Sequence, residues 1–96
     1  MRFEWDETKD RDNIAKHGVS FAQAAGIFHG FTLDWVDDRF GYGEVREISI
    51  GLADGVAILV VVHTDRDGVC RLISARPALR RERKLYEQAI RNALER

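Results

Sequence analysis

Cysteine is nearly absent from this chain of 96 residues: Cys70 stands alone, which excludes an internal disulfide and a cysteine-built zinc centre and favours a reducing compartment. Proline occurs once, at Pro77, and no repeat or low-complexity tract interrupts the sequence, which argues against a solenoid or a disordered linker. The longest unbroken apolar run, Val56 to Val62, is too short to span a bilayer, and the opening MRFEWDETKD is charged where a secretory signal is apolar. A soluble cytoplasmic protein with no membrane contact is expected. Metal-ligand spacing is also lacking, since His17, His29 and His63 lie far apart without a paired-ligand motif. With no nucleotide fingerprint or nucleophile elbow either, no cofactor is expected and a small-molecule enzyme has little support.

What is present is enough for one core. At 45% hydrophobic and 32% charged residues, the chain reads as one globular domain over residues 1–96. Net charge is −1, but its distribution is uneven: residues 1–65 carry 6 Lys/Arg against 12 Asp/Glu, and residues 66–96 carry 9 against 4. A basic end on a near-neutral protein suits phosphate, because each arginine that displaces a condensed counterion adds affinity for nucleic acid. The same arginines also fit a plain solvated helix face.

Punctuation along the chain sets the elements. Phe3 and Trp5 alternate in a short strand, Asp6 offers an N-cap for a helix to about His17, and Gly18 stops it. Ser20 and Gln23 form the pattern of a capping box, with Val19 stapled onto Ala24, for a second helix ending near Gly30. Phe31, Leu33 and Trp35 then repeat at period two, followed by a polar loop over Asp37 to Gly43. Strands follow at Glu44–Leu52, Val56–Thr64 and Val69–Arg76, joined by turns at Asp54-Gly55 and Asp67-Gly68. After Pro77, Leu85, Tyr86, Ala89, Ile90, Ala93 and Leu94 recur at helical spacing. The expected fold is α+β, in the order β-α-α-β-β-β-β-α, with an antiparallel sheet and its helices packed on one face.

Three segments resemble the BrnT toxin family: FEWD with Asn13, Lys16 and KHGVSF near the start, GEVREISIG in the middle, and VVHTDR with RLISARPALRRERKLYE at the end. They cover most of the chain in matching order. The resemblance implies a RelE-like fold and an endoribonuclease toxin of a type II toxin–antitoxin system that inhibits translation and growth. It also implies a BrnA-like ribbon-helix-helix antitoxin that neutralises the toxin and contacts operator DNA on its behalf, in a heterotetramer of two toxins and two antitoxins. A non-catalytic RNA- or protein-binding module of the same fold is the alternative.

Metal-free RNA cleavage by 2′-hydroxyl attack needs a base, cations on the scissile phosphate and an acid for the leaving oxygen. If Asp54-Gly55 is a two-residue turn, Arg46 lies opposite His63 and Glu44 opposite Asp65, so Glu44, Arg46 and His63 share one face with Arg66 in the adjoining turn. One extra residue in that hairpin would send His63 to the other face. Arg76, where the last strand meets the final helix, completes the expected catalytic set of Glu44, Arg46, His63, Arg66 and Arg76. Each also has a plainer reading: a hydrogen-bonded core histidine for His63, a surface ion pair for Glu44 and Arg46. Lys16, His17, Arg80, Arg81 and Tyr86 are the expected substrate contacts, with Lys16 and His17 also candidates for the base. Lys16 and His17 suit a helix C-terminus by charge alone, and the spacing of Tyr86 equally fits the core. Trp35, Phe40 and Tyr42 are candidates for stacking on bases or meeting the antitoxin, with packing the plainer state for Trp35.

Overall fold

The computed structural model describes residues 1–39, 41 and 43–95. Its elements are β1 (Arg2–Glu4), α1 (Glu7–His17), α2 (Phe21–Ala25) running into a 3-10 turn (Gly26–His29), β2 (Thr32–Asp37), β3 (Arg46–Ala53), β4 (Ala57–Arg66), β5 (Val69–Pro77) and α3 (Arg80–Leu94). The five strands form one sheet in the order β1-β5-β4-β3-β2. Local chemistry sets the helix ends. Asp6 accepts from Lys9 N at 3.1 Å and Ser20 from Gln23 N at 3.0 Å, while Gly18 takes the left-handed conformation (φ 70°) that closes α1. Asp10 of α1 accepts from Phe21 N at 2.8 Å, which ties α2 to α1.

Three expectations about the sheet change. β1 pairs with β5 in parallel, so the sheet is mixed; no tight turn links these two strands, and nothing forces them to run in opposite directions. The helices pack on both faces. AILVVV in β4 is apolar at odd and even positions alike, so each face needs its own cover. Leu59 and Val61 join Phe21, Ala24, Ile27 and Leu72 in the core under α2, whereas Val60, Ile48 and Ile50 join Tyr86 and Ala78 under α3.

The third change is register. The Asp54-Gly55 turn forms, with positive φ at both residues and Val56 N bonded to Ala53 O at 3.1 Å. The ladder resumes only at Ala53↔Ala57, leaving Val56 as an extra exposed residue. Glu47, rather than Arg46, therefore lies opposite His63. A further irregularity between β4 and β5 pairs Val62 with Ser74 and His63 with Leu72, which keeps Leu72 and Ala75 in the same core.

β1 covers only Val69 to Arg71 of β5, so the outer edge of β5 beyond it needs another partner. Asn13 of α1, 7% exposed, supplies it. Its Nδ2 donates to Ala75 O and Val19 O, each at 2.8 Å, and its Oδ1 accepts from Ala75 N at 3.2 Å. One amide stands in for a strand residue and locks α1 against the sheet, with His17 one turn further along the helix.

Candidate RNA-binding groove

Register assigns side chains to the α3 face in lateral rows. Leu33, Ile50, Val60 and Arg76 form one row across β2, β3, β4 and β5, and α3 lies over its apolar members. In the next row, Ile48, Val62 and Ser74 form the floor of a groove beside α3, with Trp35 at its β2 edge. Asp37 and Arg46 start a third row towards the open end.

Around that floor stand His17 from the end of α1, Arg76 from β5, Arg81 and Glu82 from the first turn of α3, and Trp35 and Arg39 on the β2 side. Trp35 is 41% exposed. Arg76 donates from Nη1 and Nη2 to Glu82 Oε1 and Oε2 at 2.7 and 2.8 Å. Glu82 also accepts from Leu79 N at 2.8 Å, capping α3. Hydrogen bonding to Arg76 pulls the Glu82 carboxyl down to about 2, and the same bond raises Arg76. Arg39 donates from Nε and Nη2 to Asp37 Oδ1 and Oδ2 at 2.7 and 2.9 Å.

The expected site residues divide between the two faces. Arg76, Arg81 and His17 line the groove, and Lys16 lies in a depression beside it with His17, Ile73 and Ser74. Arg46 belongs to the same face by register, and Glu44 pairs with Arg46 at 3.6 Å and with Arg66 at 3.4 Å. Arg80 is exposed at the start of α3. His63 is separated from Glu44 and Arg46 by the sheet, so the expected convergence of the three does not occur. The single extra residue at Val56 is the reason. Tyr86 is buried, and its hydroxyl donates to Phe31 O at 2.8 Å, which anchors α3 to the start of β2 and turns that group away from the groove. Phe40 and Tyr42 lie outside the described residues.

His63 sits in a second cleft, on the α2 face. Its Nε2 is 2.7 Å from Ser49 Oγ, which donates to Asp34 Oδ1 at 2.5 Å. Because the serine proton goes to the carboxylate, Nε2 carries the imidazole proton and donates to Ser49. Burial pushes the His63 pKa below its ordinary value, against the pull of Glu47 and Asp34. Asp34, Glu47 and Asp65 line this cleft, and among the described residues no lysine or arginine does. Its charge repels a phosphodiester; the groove's charge attracts one.

A family model described as the ribonuclease toxin BrnT of a type II toxin–antitoxin system matches residues 5–82. The chain belongs to the BrnT family. Its fold also matches the crystal structure of the Brucella abortus ribonuclease toxin BrnT, with a TM-score of 0.62 and 29% identity over 83% of this chain and 99% of that one. No curated protein matches the chain. In this BrnT-family chain no described helix is long and apolar enough to cross a membrane.

Arg39, Asp37 and Glu82 are not among the site residues the sequence singles out. Glu82 was legible as the residue three positions beyond the Leu79 helix boundary, where a carboxylate reaches back to the cap. Asp37 reads as loop in the sequence yet ends β2 with its carboxylate fully buried and paired with Arg39.

Proposed function

We propose that this BrnT-family toxin is a metal-independent endoribonuclease that binds RNA in the α3-face groove and cleaves it by attack of the ribose 2′-oxygen on the adjacent phosphorus. One observation carries this reading: His17, Arg39, Arg76 and Arg81 border one apolar floor with Trp35 exposed at its rim. The imidazole of His17 takes the 2′-hydroxyl proton, and the arginines hold the non-bridging oxygens as negative charge builds on them. The bond from phosphorus to the 5′-oxygen then breaks, and solvent protonates the leaving oxygen. The products are a 2′,3′-cyclic phosphate and a 5′-hydroxyl. Trp35 offers a face for a neighbouring base, and Arg46, Arg66, Arg80 and Lys16 extend the cationic path for flanking phosphates.

Cleavage of cellular RNA in the cytoplasm would block translation. A BrnA-like ribbon-helix-helix antitoxin neutralises the toxin by covering the groove, in a complex of two toxins and two antitoxins on a RelE-like scaffold. A non-catalytic binding module is the second reading. Its support is that Arg76 and Arg39 each already hold a carboxylate, which lowers the net charge of the groove.

Purified toxin incubated with RNA in EDTA separates the two. Cyclic-phosphate termini, with activity reduced at least a hundredfold in His17→Gln and about tenfold or more in Arg81→Ala, support the nuclease. Salt-sensitive binding without strand scission supports the module and overturns the nuclease.

A further inference from the structure

Two guanidiniums enter the groove from opposite sides, and each is held by its own carboxylate. Arg76 stands on β5 and Arg39 follows β2, with β4 and β3 between them, a span of roughly 14 Å at the usual strand spacing that the two long side chains narrow. Both line the same groove, and the charge of Arg39 acts weakly against that of Arg76. Each charge is offset by its own carboxylate, and an anion placed between the two guanidiniums over Ile48, Val60 and Val62 would be drawn by both.

The two holding contacts have different shapes. Asp37 takes Arg39 along the Nε–Nη2 side, whereas Glu82 takes Arg76 across the Nη1–Nη2 end. Both carboxylates are sheltered, with side-chain exposures of 0% for Asp37 and 13% for Glu82, while their arginines remain 61% and 38% exposed. Each carboxylate is less exposed than the arginine it holds, and Glu82 borders the groove together with Arg76. With its carboxyl at about 2, Glu82 is too weak a base to take a proton from RNA, which leaves it the holding role.

We propose that Asp37 and Glu82 are positioning residues that hold Arg39 and Arg76 as a preorganised two-armed clamp on a single RNA phosphodiester. The inference rests on the nuclease reading above. Its consequence runs against simple charge counting. Removing either carboxylate makes the groove more positive and so strengthens RNA binding, yet it frees an arginine to wander and slows the chemical step.

The test is steady-state cleavage of a short RNA by Asp37→Asn, Glu82→Gln and Arg39→Ala, and by the double variant Asp37→Asn/Arg39→Ala, each checked for folding by circular dichroism. A clamp gives kcat about tenfold lower in the two carboxylate variants with KM unchanged or lower, and Asp37→Asn adds nothing once Arg39 is gone. Wild-type or faster kcat with tighter binding means the carboxylates merely dilute charge, and it overturns the clamp. Lower thermal stability with kcat unchanged per folded molecule also overturns it, by making the roles structural. If Asp37→Asn does not fold, Glu82→Gln and Arg76→Lys, which keeps the charge but loses the bidentate fork, carry the same decision. Should the wild-type protein itself cleave nothing, the nuclease reading fails first; active wild type with unimpaired variants rejects only the clamp.

Discussion

Replacing Asn13 with alanine removes the amide that completes the sheet edge, and its cost can be worked from the three bonds lost. Ala75 O, Ala75 N and Val19 O all lose their partner at a site where the side chain is only 7% exposed. Each buried backbone group left unsatisfied costs about 1 kcal/mol or more, so the variant should lose about 3 kcal/mol. For a domain of this size that corresponds to a fall in Tm of roughly 12–24 °C, a large share of a total stability of about 5–15 kcal/mol. Thermal and urea denaturation followed by circular dichroism measure it, with Asp12→Ala, an exposed neighbour on α1, as the control. Because His17 lies one turn beyond Asn13, the folded fraction of the variant should also cleave RNA more slowly than wild type. A loss below about 1 kcal/mol, or one equal to the control, would refute the idea that this side chain substitutes for a strand.

Two further outcomes follow from the packing of the α2 face. In Gly51→Ala the new Cβ would stand 2.7 Å from Ile27 Cβ and 3.3 Å from Ile27 O, so the 3-10 turn must shift; about 1–3 kcal/mol should be lost in urea denaturation, and an unchanged midpoint would contradict the close approach. His63 has a folded-state pKa below its unfolded value, so its contribution to stability is complete above pH 6.5 and is lost as pH falls through the lower folded pKa. Stability measured from pH 7 downwards should therefore decline below pH 6.5 in the wild type and decline less in His63→Gln; identical profiles would show that burial of the imidazole is not responsible.

The elements of this fold were legible wherever one residue decides a local outcome. Asp6, Gly18 and Ser20 act as the caps their chemistry suggests, and both Asp-Gly turns form with positive φ. What escaped was register, because no local signal reveals that Val56 stays outside the ladder after the Asp54-Gly55 turn. In a strand of period two that one residue moves His63 from the company of Arg46 to that of Ser49 and Asp34. Helix placement differs for a related reason: the unbroken apolar run of β4 implies two covered faces, whereas a hairpin meander suggests one. Arg76 and Arg81 stand out as arginines at a strand end and a helix start, whereas His17 is singled out only through the KHGVSF resemblance, because a helix C-terminus suits a cation by charge alone. Asp37 and Arg39 do not stand out, since their pairing depends on how the chain leaves β2.

The central claim is that RNA occupies the α3 face and leaves the His63 cleft empty. Titrating isotopically labelled toxin with a short 2′-O-methyl RNA, which binds without being cut, tests it through two indole N–H signals and the histidine rings. Trp35 and His17 should shift in proportion to bound RNA, while Trp5, packed against the α2-face core, and His63 stay in place. Shifts confined to His63 and its neighbours, with Trp35 and His17 unmoved, would contradict the account.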